Sequence, residues 1–283
     1  MKSKNADNNR KPVFILHPIE GVVKALETLA QNVNVPVYGL QCTSNAPLAS
    51  IADLAKFYIN EIKTVQPNGP YTLIGYSFGA SVAFEMGVWL EKNNEKAKLL
   101  LIDGSPSYVA THTGKARSKS QGNTDAEQSE VLVYFILQFK EHDQQKLVAE
   151  FMALNNWDER LARMIQILSG ITPYSSDELA TAATSFYGKL NAGDKYKPTE
   201  KFNGPVTLVK AIDNYVQMGE DYGLSETCKQ KVAVEALKGN HRSILLGNSA
   251  EKNCRYIAQY DPNLEFYRIP FIFSAFHVIT LLC

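Results

Sequence analysis

The sequence predicts an α/β protein: a mainly parallel sheet with a helical segment inserted into it. Three observations lead there. Short, wholly apolar runs alternate with amphipathic stretches through the first part of the chain. The alternation stops between about Ser107 and Glu200, where only helical patterns are found, and it resumes at Val206. Continuous apolar runs suit strands buried on both faces, as in parallel sheets built with right-handed crossovers.

Val13-Phe14-Ile15-Leu16 is the first such run and ends in the turn-forming stretch His17-Pro18-Ile19-Glu20-Gly21. A helical pattern follows to about Leu29, then a second strand over Val35 to Leu40. Ile51 to Val65 is an amphipathic helix with Ile51, Leu54, Ala55, Tyr58, Ile59 and Ile62 on one face. Tyr71 to Ile74 is the third strand, followed by a helix to about Leu90, and Leu99 to Ile102 is the fourth. In the insertion a polar loop precedes helices expected over Ser129 to Lys140, Asp143 to Leu154, Asp158 to Leu168 and Ser176 to Leu190. Ser129 and Asp158 suit N-caps, and Pro173 and Gly193 suit breakers. Strands at Val206 to Val209 and Val232 to Leu237 resume the sheet, and a last helix runs from Ser249 to about Gln259. The expected organisation is a leader or linker over 1–10, a core from 11–106 and 201–260, a helical lid over 107–200, and a tail over 261–283 with no assigned role.

Composition limits the function classes. The 283 residues are 45% hydrophobic and 20% charged, ample for a buried core. Formal net charge is zero, so no global field points to nucleic acid or an anionic membrane. Cys42, Cys228, Cys254 and Cys283 are scattered, which favours a reduced compartment over a disulfide framework or a zinc site. No run is long enough to span a bilayer. The polar start is no signal peptide, and a cytoplasmic location is expected.

The chemistry centres on Gly75-Tyr76-Ser77-Phe78-Gly79, between an apolar run and a helix-forming stretch. Strand, Gly-x-Ser-x-Gly, helix is the layout of a nucleophile elbow, in which a serine sits on a strained turn with its hydroxyl exposed. By composition alone the motif arises about one time in ten in a chain of this length, so its partners decide. The α/β-hydrolase fold needs Ser, acid and His in that chain order at the carboxyl ends of strands. Ser77 and His241 fall there as nucleophile and base. The acid is Asp103 or Asp213, and spacing does not choose between them. Among the other histidines, His17 precedes the serine, His112 and His142 lie in the insertion, and His277 lies in the tail. The backbone N–H of Phe78, just after the serine, and that of Ile19, in the loop after the first strand, are the expected oxyanion donors.

Further segments carry a resemblance: His17-Pro18-Ile19-Glu20-Gly21, Tyr38-Gly39-Leu40-Gln41-Cys42, Val65-Gln66-Pro67, Gly69-Pro70-Tyr71, Ala83-Phe84-Glu85-Met86, Asp103-Gly104-Ser105-Pro106 and His241-Arg242, with the elbow itself. In these the chain resembles the thioesterase domain at the C-terminal end of animal type I fatty acid synthase, from about Lys11 to about Tyr256. The resemblance implies that Asp103 is the acid and that the helical insertion frames an acyl groove. It further implies hydrolysis of a fatty acyl thioester carried on the phosphopantetheine arm of an acyl carrier protein within a multienzyme synthase, with no metal or diffusible cofactor. Asn240 departs from the acidic residue expected before the histidine. A discrete editing thioesterase, or a releasing domain of a polyketide or peptide assembly line, shares the same fold and triad. A silent acyl-binding module is the alternative of a different class.

Phe135, Phe139, Phe151 and Phe186 are candidates for the groove wall or for simple packing between helices. Glu20 and Arg242 are expected to pair and hold the oxyanion loop to the histidine loop. Lys115, Arg117 and Lys119 form a small basic run that could meet an acidic carrier or be merely solvated.

Overall fold

The computed structural model describes residues 9–33, 35–111, 123–137, 139–214, 218–245 and 250–259. Six strands, β1 (Val13–Leu16), β2 (Val37–Leu40), β3 (Tyr71–Tyr76), β4 (Ala97–Ile102), β5 (Val206–Ala211) and β6 (Ala233–Leu237), form one sheet in the order β2-β1-β3-β4-β5-β6. Every pairing is parallel. The α/β-hydrolase expectation holds. Because strand side chains alternate between faces, the sheet feeds two cores. Phe14, Leu16, Leu73, Leu99, Leu101 and Leu208 pack on one side with α2 (Ile51–Val65) and α3 (Phe78–Lys92). Val13, Ile15, Ile74, Leu100, Ile102 and Val209 pack on the other with α1 (Glu27–Gln31) and α9 (Ala250–Gln259).

The expected α2 is found over the expected residues, its Ser50 N-cap accepting from Asp53 N. The second strand is shorter than expected and starts at Val37. The region expected to be helical up to Leu29 is a 3-10 turn (Lys24–Leu26) leading into α1.

The inserted helices are α4 (Thr124–Leu137), α5 (Gln144–Met152), α6 (Trp157–Leu168) and α7 (Ser176–Asp194). They have a core of their own, with Leu132, Ile136, Leu147, Phe151, Met164 and Phe186 at its centre. Three local expectations are corrected here. Ser129 is no N-cap: it is buried in mid-helix and its hydroxyl donates to Asp125 O, while Asn123 Oδ1 accepts from the N–H groups of Asp125 and Ala126. Asn156, not Asp158, caps α6. Gly193 does not break α7 but lies buried within it, since a Cβ there would stand 2.7 Å from Val109 Cγ1. Helix periodicity identifies the helices, but a cap depends on which polar side chain can reach the free N–H groups.

A short helix, α8 (Leu224–Thr227), precedes β6. No helix among the described residues is long and apolar enough to cross a membrane. Among the described residues Cys42, Cys228 and Cys254 are free thiols, and no group of metal-ligating side chains is found.

Candidate active site

The site is assembled by strand register. Tyr76 of β3 pairs with Ile102 of β4, so the residues that follow, Ser77 and Asp103, leave the sheet side by side. Ser77 N donates to Ile102 O, and Asp103 N donates to Val209 O. On the next strands, Ala211 pairs with Leu237 and Asp213 N donates to Gly239 O, which brings the β6 exit loop to the same edge.

Ser77 occupies a left-handed conformation, φ 57° and ψ −122°, costly for a side-chain-bearing residue. The glycines on either side allow it. A Cβ on Gly75 would lie 2.4 Å from Gly79 O, and one on Gly79 would lie 2.6 Å from His17 O. Gly104 follows the same logic, its Cβ falling 2.4 Å from Ser77 O. Ser77 stands at the N-cap position of α3, yet its hydroxyl makes no capping bond. Instead Oγ lies 2.9 Å from His241 Nε2.

His241 Nδ1 lies 2.7 Å from Asp103 Oδ2. A buried carboxylate accepts there, so Nδ1 carries the proton and Nε2 is left to accept from Ser77. Asp103 is fully buried and also accepts from Ala211 N, Asn214 Nδ2 and Tyr222 OH. Burial opposes its ionisation, but the hydrogen bond and charge of His241, with Ala211 and Asn214, outweigh it and hold the carboxyl below its ordinary range. The imidazole is stacked between Tyr76 and Tyr108, with centroids 5.2 and 5.6 Å away. Tyr76 OH donates to His241 O, and Tyr108 OH lies 3.2 Å from Nδ1.

Asp213, the rival acid, is occupied elsewhere. Its carboxylate accepts from Gly239 N and so braces the loop carrying His241. His17 is no base. It is fully buried, with Nδ1 2.6 Å from Pro18 O and Nε2 2.7 Å from Tyr58 OH. Burial lowers its pKa to about 3, with the charge of Lys189 adding to the effect. The neutral ring therefore fastens the turn in which Gly21 N donates to Pro18 O. In such a turn the N–H groups of the central residues, Ile19 and Glu20, take no part in the closing bond. Phe78 N–H, first in α3, is likewise a helix-end donor without an intrahelical acceptor.

Glu20 and Arg242 both act on the Tyr76 hydroxyl, which burial raises first, with Glu20 and Asp103 raising it further and Arg242 lowering it. Phe151 is wholly buried in the lid core, while Phe135 and Phe186 meet at 6.1 Å and Phe139 packs beside Phe135. Ile19 touches both this cluster and the main core. His142 is exposed. His112, Lys115, Arg117, Lys119 and His277 lie outside the described residues.

Sequence reasoning missed Tyr76, Tyr108, Asn214 and Tyr222 as parts of the site. Tyr76 lies inside the elbow motif and Tyr108 just beyond Asp-Gly-Ser-Pro, which gave some signal. Asn214 and Tyr222 had none, since only the fold brings them to Asp103.

A family model for the thioesterase domain matches residues 11–259. Malpinin synthetase of Mortierella alpina is 35% identical over 119 residues, 40% of this chain and 2% of the relative. Polyketide synthase PksR of Bacillus subtilis (strain 168) is 33% identical over 120 residues, 41% of this chain and 5% of that protein. The chain thus spans a small fraction of these relatives. Among solved structures, a four-domain nonribosomal peptide synthetase superposes with TM-score 0.74 at 21% identity, over 91% of this chain and 20% of that one. The type II thioesterase BorB, from the borrelidin biosynthetic cluster, gives TM-score 0.57 at 19% identity over 93% of this chain and 95% of that one. These likenesses carry the fold. The expectation of an animal fatty acid synthase finds no support in these relatives, whose names are those of peptide and polyketide synthases.

Proposed function

Because the chain belongs to the thioesterase domain family, matched over residues 11–259, we propose that it releases acyl groups from the phosphopantetheine arm of a carrier protein by serine-based hydrolysis. The observation that carries this reading is the unbroken Ser77–His241–Asp103 chain of hydrogen bonds, at 2.9 and 2.7 Å.

In this reading Ser77 Oγ attacks the thioester carbonyl while His241 Nε2 takes its proton. The tetrahedral oxyanion rests on the N–H groups of Phe78 and Ile19, each worth about 3 kcal/mol of barrier. His241 returns the proton to the departing sulfur, then draws one from water, and the free acid leaves Ser77. Asp103 keeps the imidazole in the Nδ1–H tautomer and stabilises it when charged. Every step is carried by the chain's own side chains and backbone donors.

The similarity to peptide and polyketide synthases favours a releasing or editing role in an assembly line. Fatty acid release is the second reading; it requires the inserted helices to open an apolar groove beside Ser77, where each buried CH₂ would gain roughly 0.8 kcal/mol. The test is hydrolysis of acyl thioesters from short to long chain, on coenzyme A and on carrier protein. Turnover that disappears in Ser77→Ala supports the proposal. Equal turnover by variant and wild type would eliminate it, and acyl binding without turnover by the wild type would leave an acyl-binding module. A preference for long unbranched chains selects the fatty acid reading, and a preference for polyketide or peptidyl groups selects the assembly-line one.

A further inference from the structure

A buried lysine of the lid lies beneath the turn that carries Ile19. Lys189 of α7 is 1% exposed. Its ammonium donates to Ser185 Oγ, one helical turn earlier, at 2.6 Å. Its position is made possible by Gly21, which closes the turn at φ +89°. A Cβ there would stand 2.9 Å from Lys189 Nζ and 3.2 Å from Cys42 Cβ. The missing side chain therefore opens a socket, and the ammonium occupies it.

The charge is felt on both sides of Ile19. Burial opposes the ammonium's charge and lowers its pKa, while attraction from Cys42 and from Glu20, after Ile19, supports it; the charge in turn acts on His17, before Ile19. Water is largely excluded around Nζ, so its field reaches further than a surface lysine's would. The groups facing it are His17 and Glu20 of the turn, Cys42 beyond β2, and Ser185 of its own helix. Tyr58 of α2 stands behind His17.

We propose that Lys189 is a positioning residue for the oxyanion turn: docked in the Gly21 socket, it locks residues 18–21 against the lid helix and adds positive field where the Ile19 N–H meets the oxyanion. Phe186 lies three residues earlier on α7 and hence on the same face, so one helix joins the lid core to this turn. The inference rests on the serine-hydrolase reading above.

The test uses the full chain, with two readouts: the rate at which a fluorophosphonate probe labels Ser77, and steady-state hydrolysis of a short-chain acyl thioester that makes little use of the lid. Lys189→Met keeps the length and removes the charge. It should lower kcat and the labelling rate together, by roughly tenfold, a fraction of the loss on removing an oxyanion donor. KM should stay near the wild-type value and Tm should not fall, since removing a buried charge seldom destabilises when the replacement packs. Ser185→Ala, which frees the ammonium from its tether, should act in the same direction to a smaller extent and serves if the methionine variant does not fold. Both variants labelled and turned over at wild-type rates would overturn the inference alone. A wild type that neither labels at Ser77 nor hydrolyses thioesters would overturn the serine-hydrolase reading, and this inference with it.

Discussion

Asp103 and Asp213 illustrate what single residues decide. Both follow sheet strands, but only Asp103 is buried against His241 Nδ1, whereas Asp213 holds Gly239 N. Asp103→Asn should lower kcat by about 10⁴, because the tautomer that Nδ1–H donation maintains is lost. Asp213→Asn keeps one acceptor for Gly239 and should cost less than tenfold. Steady-state kinetics of the two variants check this, and the reverse ranking would move the acid to Asp213. His17 makes a prediction about pH. Its folded pKa of about 3 lies below the ordinary 6.5, so between these values the unfolded chain binds the extra proton. Its contribution to stability is therefore complete above about pH 6.5 and is lost as pH falls towards 3, at about 1.4 kcal/mol per unit. Denaturation curves between pH 7 and 4 should show this slope in the wild type and a flatter one in His17→Gln. Equal slopes would mean that another group dominates the acid limb.

At the scale of elements, the elbow is a strand and a helix joined too tightly for side chains. Gly79 faces His17 O and Leu16 O, both backbone atoms that cannot rotate away. Gly79→Ala should cost roughly 3 kcal/mol or more and abolish activity, a large effect of the kind expected from forced backbone displacement. Chemical denaturation measures it, and a loss under about 1 kcal/mol would show that β1 and α3 can separate. The elbow, α2 and the places of the strands along the chain were legible in the sequence because apolar periodicity and glycine placement are local signals. Helix caps in the insertion were less so: Ser129 and Asp158 have the right chemistry, but Asn123 and Asn156 reach the free N–H groups.

For the whole molecule the question is how the lid joins the sheet. The lid has a separate apolar core and a buried arginine that fastens it. Arg160 donates to Phe151 O, Leu154 O and Gln128 Oε1 and pairs with Asp125, linking α6 to the end of α5 and the start of α4. Arg160→Met takes the guanidinium donor from Leu154 O and from Gln128 Oε1, while Phe151 O keeps Leu154 N, and should cost about 3 kcal/mol. Hydrogen exchange should rise across α4, α5 and α6 while β3 and β4 stay protected. A uniform rise would instead mean that lid and sheet open as one unit. By itself the sequence determined the class, the elbow, the serine and the histidine, because each is marked by a short-range pattern of apolar residues, glycines and strand ends. Only the tertiary structure decided which aspartate meets His241, that Tyr76 and Tyr108 stack on the imidazole, that His17 is a brace, and that Lys189 reaches Gly21. Those outcomes depend on register between strands and on the path of α7 past the Gly21 turn, long-range contacts that leave no periodic trace in the chain.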